Sequence, residues 1–380
     1  MSLLSPRKLK KHRLNLLLKC NSLTAAPSTA NEMRKDYLID RWTVIATARK
    51  KRPVDFKRIP EEKKPSGVCA LEPGNEDMTP PAVLVYLPSD SGIKKDQDRD
   101  GMRHKDWLVR CVPNLFPAFT PPQTSEVDIA EEFFLRNRAT GHHEVLVESP
   151  VHDEHPASAR ISQLIHVIDA SRDRLRELSK KKYVKYVSIF RNHGLEAGAS
   201  LSHAHTQIIA TPIIPKTIED ELKTSEQFLR KNGKCAFCEI IKKEENQSRF
   251  IWKNEHFIVF APWGSVHPFE FWIFPSKHQC CLLDLSQTEV ESLARAMRIC
   301  FGALKSLLSD PPYNYGFHQL CADACDYYHW HLEVYPRLSI WAGFEKSTGM
   351  YINVVSPEDA AADMREATRE EEKKLSTVQS

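Results

Sequence analysis

The side chains best suited to chemistry lie in the stretch Ser202–Gln207, which contains His203, His205 and Gln207. β-Branched and aromatic residues on both flanks predict a β-strand here. The two-residue period of a strand then places the three polar side chains on one face. Three polar groups on one face of an otherwise apolar strand either satisfy one another in a core or bind something.

His205 has the chemistry of a nucleophile. An imidazole nitrogen can attack phosphorus and form a phosphoramidate, provided that the other ring nitrogen donates to a fixed acceptor such as a carbonyl. Gln207 follows on the same face, and its amide can hold a phosphate oxygen without being a proton source for hydrolysis. On the residues alone, two interpretations of His205 stay open: a nucleophile and a satisfied core histidine.

The second part of the chain repeats the first. Adding 126 to residues 144–147 gives 270–273, which aligns Glu-Val-Leu-Val with Glu-Phe-Trp-Ile. A match that recurs over the length of a helix and several strands indicates duplication of one αβ unit. Gln207 aligns with Glu333, so the copies agree in scaffold and differ in chemistry. Three histidine pairs fall at the same offset: His152 and His278, His203 and His329, and His205 and His331.

Each copy contains a set of metal-ligating residue types. Two thiols and two imidazoles suit one tetrahedral zinc ion, with Zn–S bonds of ~2.3 Å. A carboxylate in place of one thiol makes a weaker or more exchangeable zinc site. The alternatives are buried Cys and His without metal in the second copy and a remnant site in the first. The second copy has Cys235, Cys238, His278 and His329, and the first has Cys69, Glu72, His152 and His203.

Length and composition limit the function classes. A chain of 380 residues predicts two domains or one large duplicated one, and no apolar run approaches the ~18 residues of a membrane span. Ten cysteines in a chain this long favour a reducing compartment and metal binding over a disulfide framework. The net charge is +3, of which +5 lies in residues 1–32 (six Lys/Arg, one acid), leaving 3 − 5 = −2 for the rest. A nearly neutral body gives no support for nucleic-acid binding.

Four segments are expected along the chain. Residues 1–32 form a basic tail, which is a transit peptide, a misassigned start before Met33 or a disordered arm. Residues 33–214 form the unit with the His-x-His-x-Gln motif, residues 215–355 the repeat unit with the two-Cys, two-His set, and residues 356–380 a charged terminal helix and tail. Within the first unit, residues 59–103 are rich in Pro, Gly, Asp and Lys and predict mostly loop.

From about residue 34 to residue 365, the chain resembles the galactose-1-phosphate uridylyltransferase family, the transferase branch of the histidine-triad superfamily. The ADP-glucose phosphorylase type is a near relative within it. The resemblance rests on the His-x-His-x-Gln motif and on Arg41-Trp42, Arg52-Pro53, Pro73-Gly74-Asn75-Glu76, Val112-Pro113-Asn114-Leu115-Phe116-Pro117, Gly141-His142-His143-Glu144-Val145 and Trp341-Ala342-Gly343-Phe344-Glu345. It implies an α+β fold of two histidine-triad-like units, each an antiparallel sheet packed with a long helix.

The resemblance also implies a ping-pong nucleotidyl transfer with His205 as nucleophile and Gln207 holding the phosphate. Substrate contacts carried over from the family are Arg49, Arg52, Asn114, Asn192, Gly198, Ser200 and, in the sugar segment, Glu345. His152 and His203 match ligands of a metal near the active site. The chain departs from the family pattern at Glu72, where a second Cys is usual, and at Ala204, where Pro is usual.

The expected reaction is transfer of UMP from UDP-glucose to galactose 1-phosphate or a similar hexose 1-phosphate. Zinc is the expected metal, and the expected partners are a nucleotide-sugar, a hexose 1-phosphate or phosphate, and a second copy of the chain, but no nucleic acid or membrane. A cytoplasmic location is expected unless residues 1–32 direct import. The alternatives are an ADP-glucose phosphorylase, a zinc-stabilised nucleotide-binding protein without catalysis, and a dinucleotide hydrolase, against which Gln207 argues.

Overall fold

The computed structural model describes residues 31–46, 52–56, 67–90, 92–122, 129–131, 133–321 and 326–378. The basic tail up to residue 30, with the transit-peptide and misassigned-start interpretations, lies outside them, as does Arg49. Within the described residues, no helix combines the length and apolar character needed to cross a bilayer.

An eleven-stranded antiparallel sheet forms the body of the molecule, in the order β11-β12-β13-β15-β14-β9-β10-β8-β5-β3-β4. Its strands are rich in β-branched and aromatic residues, which fit a pleated, half-buried surface. They are β3 Leu84–Ser89, β4 Gly92–Asp96, β5 Val109–Pro113, β8 His142–Val147, β9 Tyr186–His193, β10 His205–Thr211, β11 Phe250–Lys253, β12 Phe257–Phe260, β13 Phe271–Pro275, β14 Tyr313–His318 and β15 His331–Pro336.

Two smaller sheets flank the body. One has the order β1-β2-β16, with β1 Glu32–Lys35, β2 Trp42–Ile45 and β16 Tyr351–Asn353, and the other is a hairpin of β6 Ile129–Glu131 and β7 Phe134–Arg136. The three-stranded sheet is anchored to the second copy, because Thr43 donates to the carbonyl of Gly264 (2.9 Å) and Asn353 to that of Ser265 (3.0 Å).

The long helices of the two copies cover one face of the body. The helices are α1 Pro53–Phe56, α2 Ile161–Ser179, α3 Lys216–Asn232, α4 Ala236–Glu244, α5 Gln287–Leu308, α6 Gly343–Thr348 and α7 Pro357–Val378. Apolar residues of α2 and α5 lie in one core with inward side chains of the sheet, among them Ile189 and Ile208. A reciprocal cap of Ser286 and Glu289 begins α5.

The antiparallel sheet and paired long helices confirm the predicted α+β fold, and the two copies turn out to share one sheet. Strand β9 of the first copy pairs with β14 of the second, with Phe317 opposite Ile189. Since Ile208 and Ala210 point into the core with α2 and α5, His205 and Gln207 point to the opposite face of the sheet, which α3 and α4 cover in the second copy.

Three details differ from expectation. Strand β10 begins at His205, so His203 precedes the strand rather than lying within it. The region expected to be mostly loop contains the β3–β4 hairpin, whose polar residues hid the strand pattern. Cys281 and Cys321 are joined by a disulfide, and Cys280 is also disulfide-bonded, which residue spacing did not predict.

The shared core predicts a strong effect of cavities at the junction. Ile189→Ala, at a fully buried site on β9, should lower the free energy of unfolding by ~2–5 kcal/mol in chemical denaturation. Ile340→Ala is the matched control, since that side chain is 94% exposed, and should change it by less than ~0.5 kcal/mol. Equal effects of the two substitutions would contradict this packing.

Candidate active site

His205 stands at the start of β10 with its ring tautomer defined. Its Nδ1 lies 2.8 Å from the carbonyl oxygen of His203, which can only accept, so the proton is on Nδ1 and the lone pair on Nε2. Nε2 makes no hydrogen bond to any described residue. Burial lowers the pKa of His205 below its ordinary value, which favours the neutral ring. This is the arrangement that a nucleophilic imidazole requires.

A buried polar network holds the backbone of His205 from behind. Arg191 forms an ion pair with Glu148 and donates to the carbonyl of His205 (3.4 Å). Thr206 donates to the same carboxylate (2.6 Å) and lies 3.1 Å from the hydroxyl of Tyr315, in the second copy. Because breaking a buried ion pair leaves an uncompensated charge, this network favours one backbone position at the start of β10.

Gln207 faces the site two residues along the strand. Its Oε1 lies 2.9 Å from Nε2 of His143 on the neighbouring strand β8. Asn114, predicted as a nucleotide contact, lies beside them, with its Nδ2 3.1 Å from the same Nε2. The structure thus brings His143, Asn114 and Gln207 together next to His205.

The loop after β9 lies at the edge of the same site. Asn314 of the second copy donates to Oδ1 of Asn192 (2.8 Å) and to the carbonyl of Ala197 (2.7 Å). Gly198 has φ +85°, a left-handed conformation that glycine adopts without strain, and exposed Ser200 follows it. Asn192, Gly198 and Ser200 therefore form one loop cluster beside β10.

Two predicted substrate residues lie elsewhere. Arg52 precedes α1, which packs on α5 of the second copy, and its backbone N–H donates to Asp55 (2.7 Å). Glu345 lies in α6, where its carboxylate accepts from the backbone N–H of Ala342 (2.9 Å). Within the described part of one chain, neither residue contacts the surroundings of His205.

The second copy reproduces the scaffold and blocks the nucleophile. Nδ1 of His331 lies 3.2 Å from the carbonyl oxygen of His329, as in the first copy. Nε2 lies 3.1 Å from a carboxylate oxygen of Glu333, so both ring nitrogens of His331 face oxygen acceptors. No lone pair is directed at a substrate.

Two residues beside Glu333 could not be predicted from the sequence. Glu221 on α3 and His318 on β14 join His331 and Glu333 in a cluster whose polar atoms lie within 4.8 Å of one another. Burial opposes charge on His318, but the carboxylates of Glu221 and Glu333 raise its pKa to about 9. The cluster lines a cavity of about 380 Å³ that also contacts Arg41 and Trp341. Neither Glu221 nor His318 belongs to the repeated pattern, so spacing could not reveal them.

Both predicted ligand sets assemble, each with its polar atoms within 4.8 Å of one another: Cys235, Cys238, His278 and His329, and Cys69, Glu72, His152 and His203. Nε2 of His203 lies 2.8 Å from the carbonyl oxygen of Ser149, and Nε2 of His329 lies 3.0 Å from that of Pro275. Since 149 + 126 = 275, the two copies agree down to this hydrogen bond.

The donor chemistry fits zinc. Each backbone acceptor holds the proton on Nε2 and turns the Nδ1 lone pair toward the ligand set, the usual orientation of a metal-binding histidine. Burial lowers the pKa of His203 and His329, which favours the neutral, ligating form. In the first set, His152 bonds Glu72 through Nδ1 and Ser202 through Nε2 (2.8 Å). A carboxylate in place of the second thiol makes that set the weaker of the two.

We expect two zinc ions per chain, bound independently. In metal analysis by mass spectrometry, Cys235→Ser should remove one ion and Glu72→Ala the other. Glu72→Cys should slow zinc loss to a chelator, because thiolate is the softer ligand. Cys300→Ser is the control, since Cys300 is a buried free thiol of α5, and should retain both ions. Loss of both ions from Glu72→Ala alone would contradict independent sites.

A family model and individual relatives both relate this chain to the galactose-1-phosphate uridylyltransferases. The model for the galactose-1-phosphate uridyl transferase N-terminal domain matches residues 21–215, and a domain of unknown function (DUF4921) matches residues 139–378. ADP-glucose phosphorylase from Arabidopsis thaliana is 32% identical over 351 residues, covering 89% of this chain and 93% of that protein. Galactose-1-phosphate uridylyltransferase from Thermotoga maritima is 29% identical over 345 residues, covering 88% and 98%.

A solved structure supports the assignment. The crystal structure of an Arabidopsis thaliana ADP-glucose phosphorylase with bound ADP-glucose has a TM-score of 0.71 to this chain at 28% identity, covering 89% of this chain and 99% of that one. Its likeness extends over both copies of the repeat rather than over one unit. Sequence and structure agree that the chain belongs to the galactose-1-phosphate uridylyltransferase family, of which ADP-glucose phosphorylase is a close relative.

Proposed function

We propose that the protein transfers a nucleotidyl group from a nucleoside diphosphate hexose to a phosphate-bearing acceptor through His205. The observation that carries this proposal is the hydrogen bond from Nδ1 of His205 to the carbonyl of His203, which leaves Nε2 free to attack. The lone pair of Nε2 bonds to the α-phosphorus while the bond from that phosphorus to the bridging oxygen breaks. Hexose 1-phosphate leaves with the electron pair, and a nucleotidyl-histidine remains.

The second half-reaction reverses the first with a new acceptor. A phosphate oxygen of the acceptor attacks the α-phosphorus, the P–N bond breaks, and its electron pair returns to Nε2. The leaving group is a phosphate of low basicity in the first half and the imidazole of His205, which already has its proton on Nδ1, in the second, so little general acid catalysis is needed. Positioning, and stabilisation of the phosphate charge by N–H groups of Gln207, Asn114 and the loop at Gly198, would supply most of the acceleration.

The nucleotide and the acceptor separate two candidates. Uridylyl transfer from UDP-glucose to galactose 1-phosphate is supported by the family match and by the 29% identity to the Thermotoga maritima enzyme. Adenylyl transfer from ADP-glucose to inorganic phosphate is supported by the 32% identity to ADP-glucose phosphorylase. Both would use the same covalent chemistry at His205, so recognition of the base and of the acceptor distinguishes them.

The zinc sets would act as supports. When bound, zinc would tie the start of β10 to the Cys69–Glu72 turn through His203. In the second copy, zinc would tie the start of β15 to the two cysteines of that copy's set through His329. The residue that attacks is adjacent to a ligand but is not itself a ligand. Loss of the first ion would therefore loosen His205 without removing a reacting group.

We further propose that the working form is a homodimer, in which the partner's copies of Arg52 and Glu345 complete each site. Exposed apolar side chains surround the first copy's site, including Phe116 beside Asn114 and Leu195 in the adjacent loop. Mixing Arg52→Ala with His205→Ala should restore activity, since one mixed site keeps both residues. Mixed subunits that stay inactive would contradict shared sites.

The covalent step is tested with UDP-glucose and ADP-glucose labelled at the α-phosphate. We expect acid-labile label on the wild type from at least one nucleotide and none on His205→Ala. Gln207→Glu, which copies the second repeat, should slow labelling by ~100-fold or more, because a carboxylate repels the phosphate that an amide holds. The nucleotide that labels faster identifies the donor.

Controls separate the remaining outcomes. His331→Ala, at the matching position of the second copy, should still be labelled, with its unfolding midpoint measured alongside. A wild type that takes label from neither nucleotide would end the transferase proposal. Binding of a nucleotide without label would then support the non-catalytic alternative.

A further inference from the structure

We propose that His143 is a positioning residue that fixes the amide of Gln207 with its N–H₂ group toward the phosphate; this deepens the proposed function and rests on it. His143 lies on β8 opposite Ile209, with Val145 opposite Gln207. His143 and Gln207 are therefore diagonal neighbours on the face that carries His205. Their contact joins Nε2 of the imidazole to Oε1 of the amide at 2.9 Å.

The proton on His143 is located by the backbone. The N–H of Ala118 donates to Nδ1 of His143 (3.1 Å), so Nδ1 carries the lone pair and Nε2 carries the proton in the neutral ring. Nε2 therefore donates to Oε1 of Gln207. It cannot also accept from Nδ2 of Asn114, which lies 3.1 Å away, so that amide keeps an N–H for a substrate.

This hydrogen bond decides which end of the Gln207 amide meets the phosphate. With Oε1 occupied by His143, Nε2 of Gln207 is directed away from the imidazole and makes no hydrogen bond to any described residue. A rotated amide would present its oxygen to a phosphate oxygen, and two acceptors repel. Without His143 the two orientations would be close in energy, because the shape of the amide is the same in both.

The second copy has no counterpart of the hydrogen bond between His143 and Gln207 among its described residues. Since 143 + 126 = 269, the position of His143 is taken there by Phe269, which cannot donate through its ring edge as an imidazole does. Glu333, which replaces Gln207, accepts instead from His331 and Tyr335. In the first copy the imidazole that contacts this position comes from the neighbouring strand and leaves His205 available, whereas in the second copy His331 itself makes the contact.

Two substitutions separate the two hydrogen bonds of the His143 ring, the one accepted by Nδ1 and the one donated by Nε2. His143→Asn keeps an acceptor near the Nδ1 position for Ala118 but does not reach Gln207, whereas His143→Gln can place an N–H near the Nε2 position. We expect the rate of nucleotidyl-enzyme formation to fall about 10-fold in His143→Asn, less than the ~100- to 1,000-fold loss on removing a transition-state donor. KM should change by less than about 3-fold, and His143→Gln should restore most of the rate. His142→Asn is the control, because that side chain bonds Tyr183, outside the site.

A double-mutant cycle tests the coupling directly. In a Gln207→Ala background, His143→Asn should cause no further loss, because the amide that it positions is gone. The proposal would be overturned if the rate losses of the two single variants multiplied in the double variant. It would also be overturned if His143→Asn alone reacted at the wild-type rate. Because His143 is half-buried, the variants should fold, and their unfolding midpoints check this. If His143→Asn does not fold, His143→Ala replaces it. Failure of the proposed function is recognised separately, since the wild type would then take no label.

Discussion

The hydrogen bond from Nδ1 of His205 to the carbonyl of His203 is the interaction on which the proposed chemistry of this protein depends. It makes Nε2 the basic nitrogen, and burial keeps the ring neutral. The same residue, His203, supplies the acceptor from its backbone and a predicted metal ligand from its side chain. A metal bound by the side chain of His203 would therefore stiffen His205, the proposed nucleophile.

Duplication explains why this hydrogen bond occurs in both copies. In the first copy alone of the two, it leaves the Nε2 of the histidine without a described hydrogen-bond partner. Both copies keep the histidine–carbonyl bond and the backbone acceptor of the ligating histidine, at Ser149 and at Pro275. The difference is charge at one position. Glu333 occupies Nε2 of His331, and burial is outweighed by His318 and by hydrogen bonds, which lower the pKa of this carboxylate. Gln207 is neutral and turns to His143, so His205 stays available.

Much of the site could be predicted because its signals lie in residue type and spacing. The 126-residue repeat connects the two candidate ligand sets, and the His-x-His-x-Gln motif identifies His205 as the candidate nucleophile before any contact is known. The tautomers could not be predicted, because they depend on backbone groups such as Ala118 that leave no trace in residue type. His143 was visible within Gly141–Val145, yet its role required the register of β8 against β10.

Other differences between the sequence predictions and the structure also have physical causes. The β3–β4 hairpin carries exposed polar residues such as Lys94 and Lys95, which resemble loop composition. The cluster of Glu221 and His318 joins a connecting helix to a strand, a meeting that only the folded chain reveals. Arg52 and Glu345 match family motifs, but a sequence match carries no information about which subunit's site a residue serves.

We propose that the first copy reacts and the second does not. The most direct measurement is peptide mapping by mass spectrometry of the enzyme trapped with its nucleotide-sugar and no acceptor. We predict the added mass of one nucleotidyl group on the peptide that contains His205 and unmodified peptide around His331. Modification at His331, or at both histidines, would contradict the claim that the Nδ1 hydrogen bond and the neutral Gln207 together select the nucleophile.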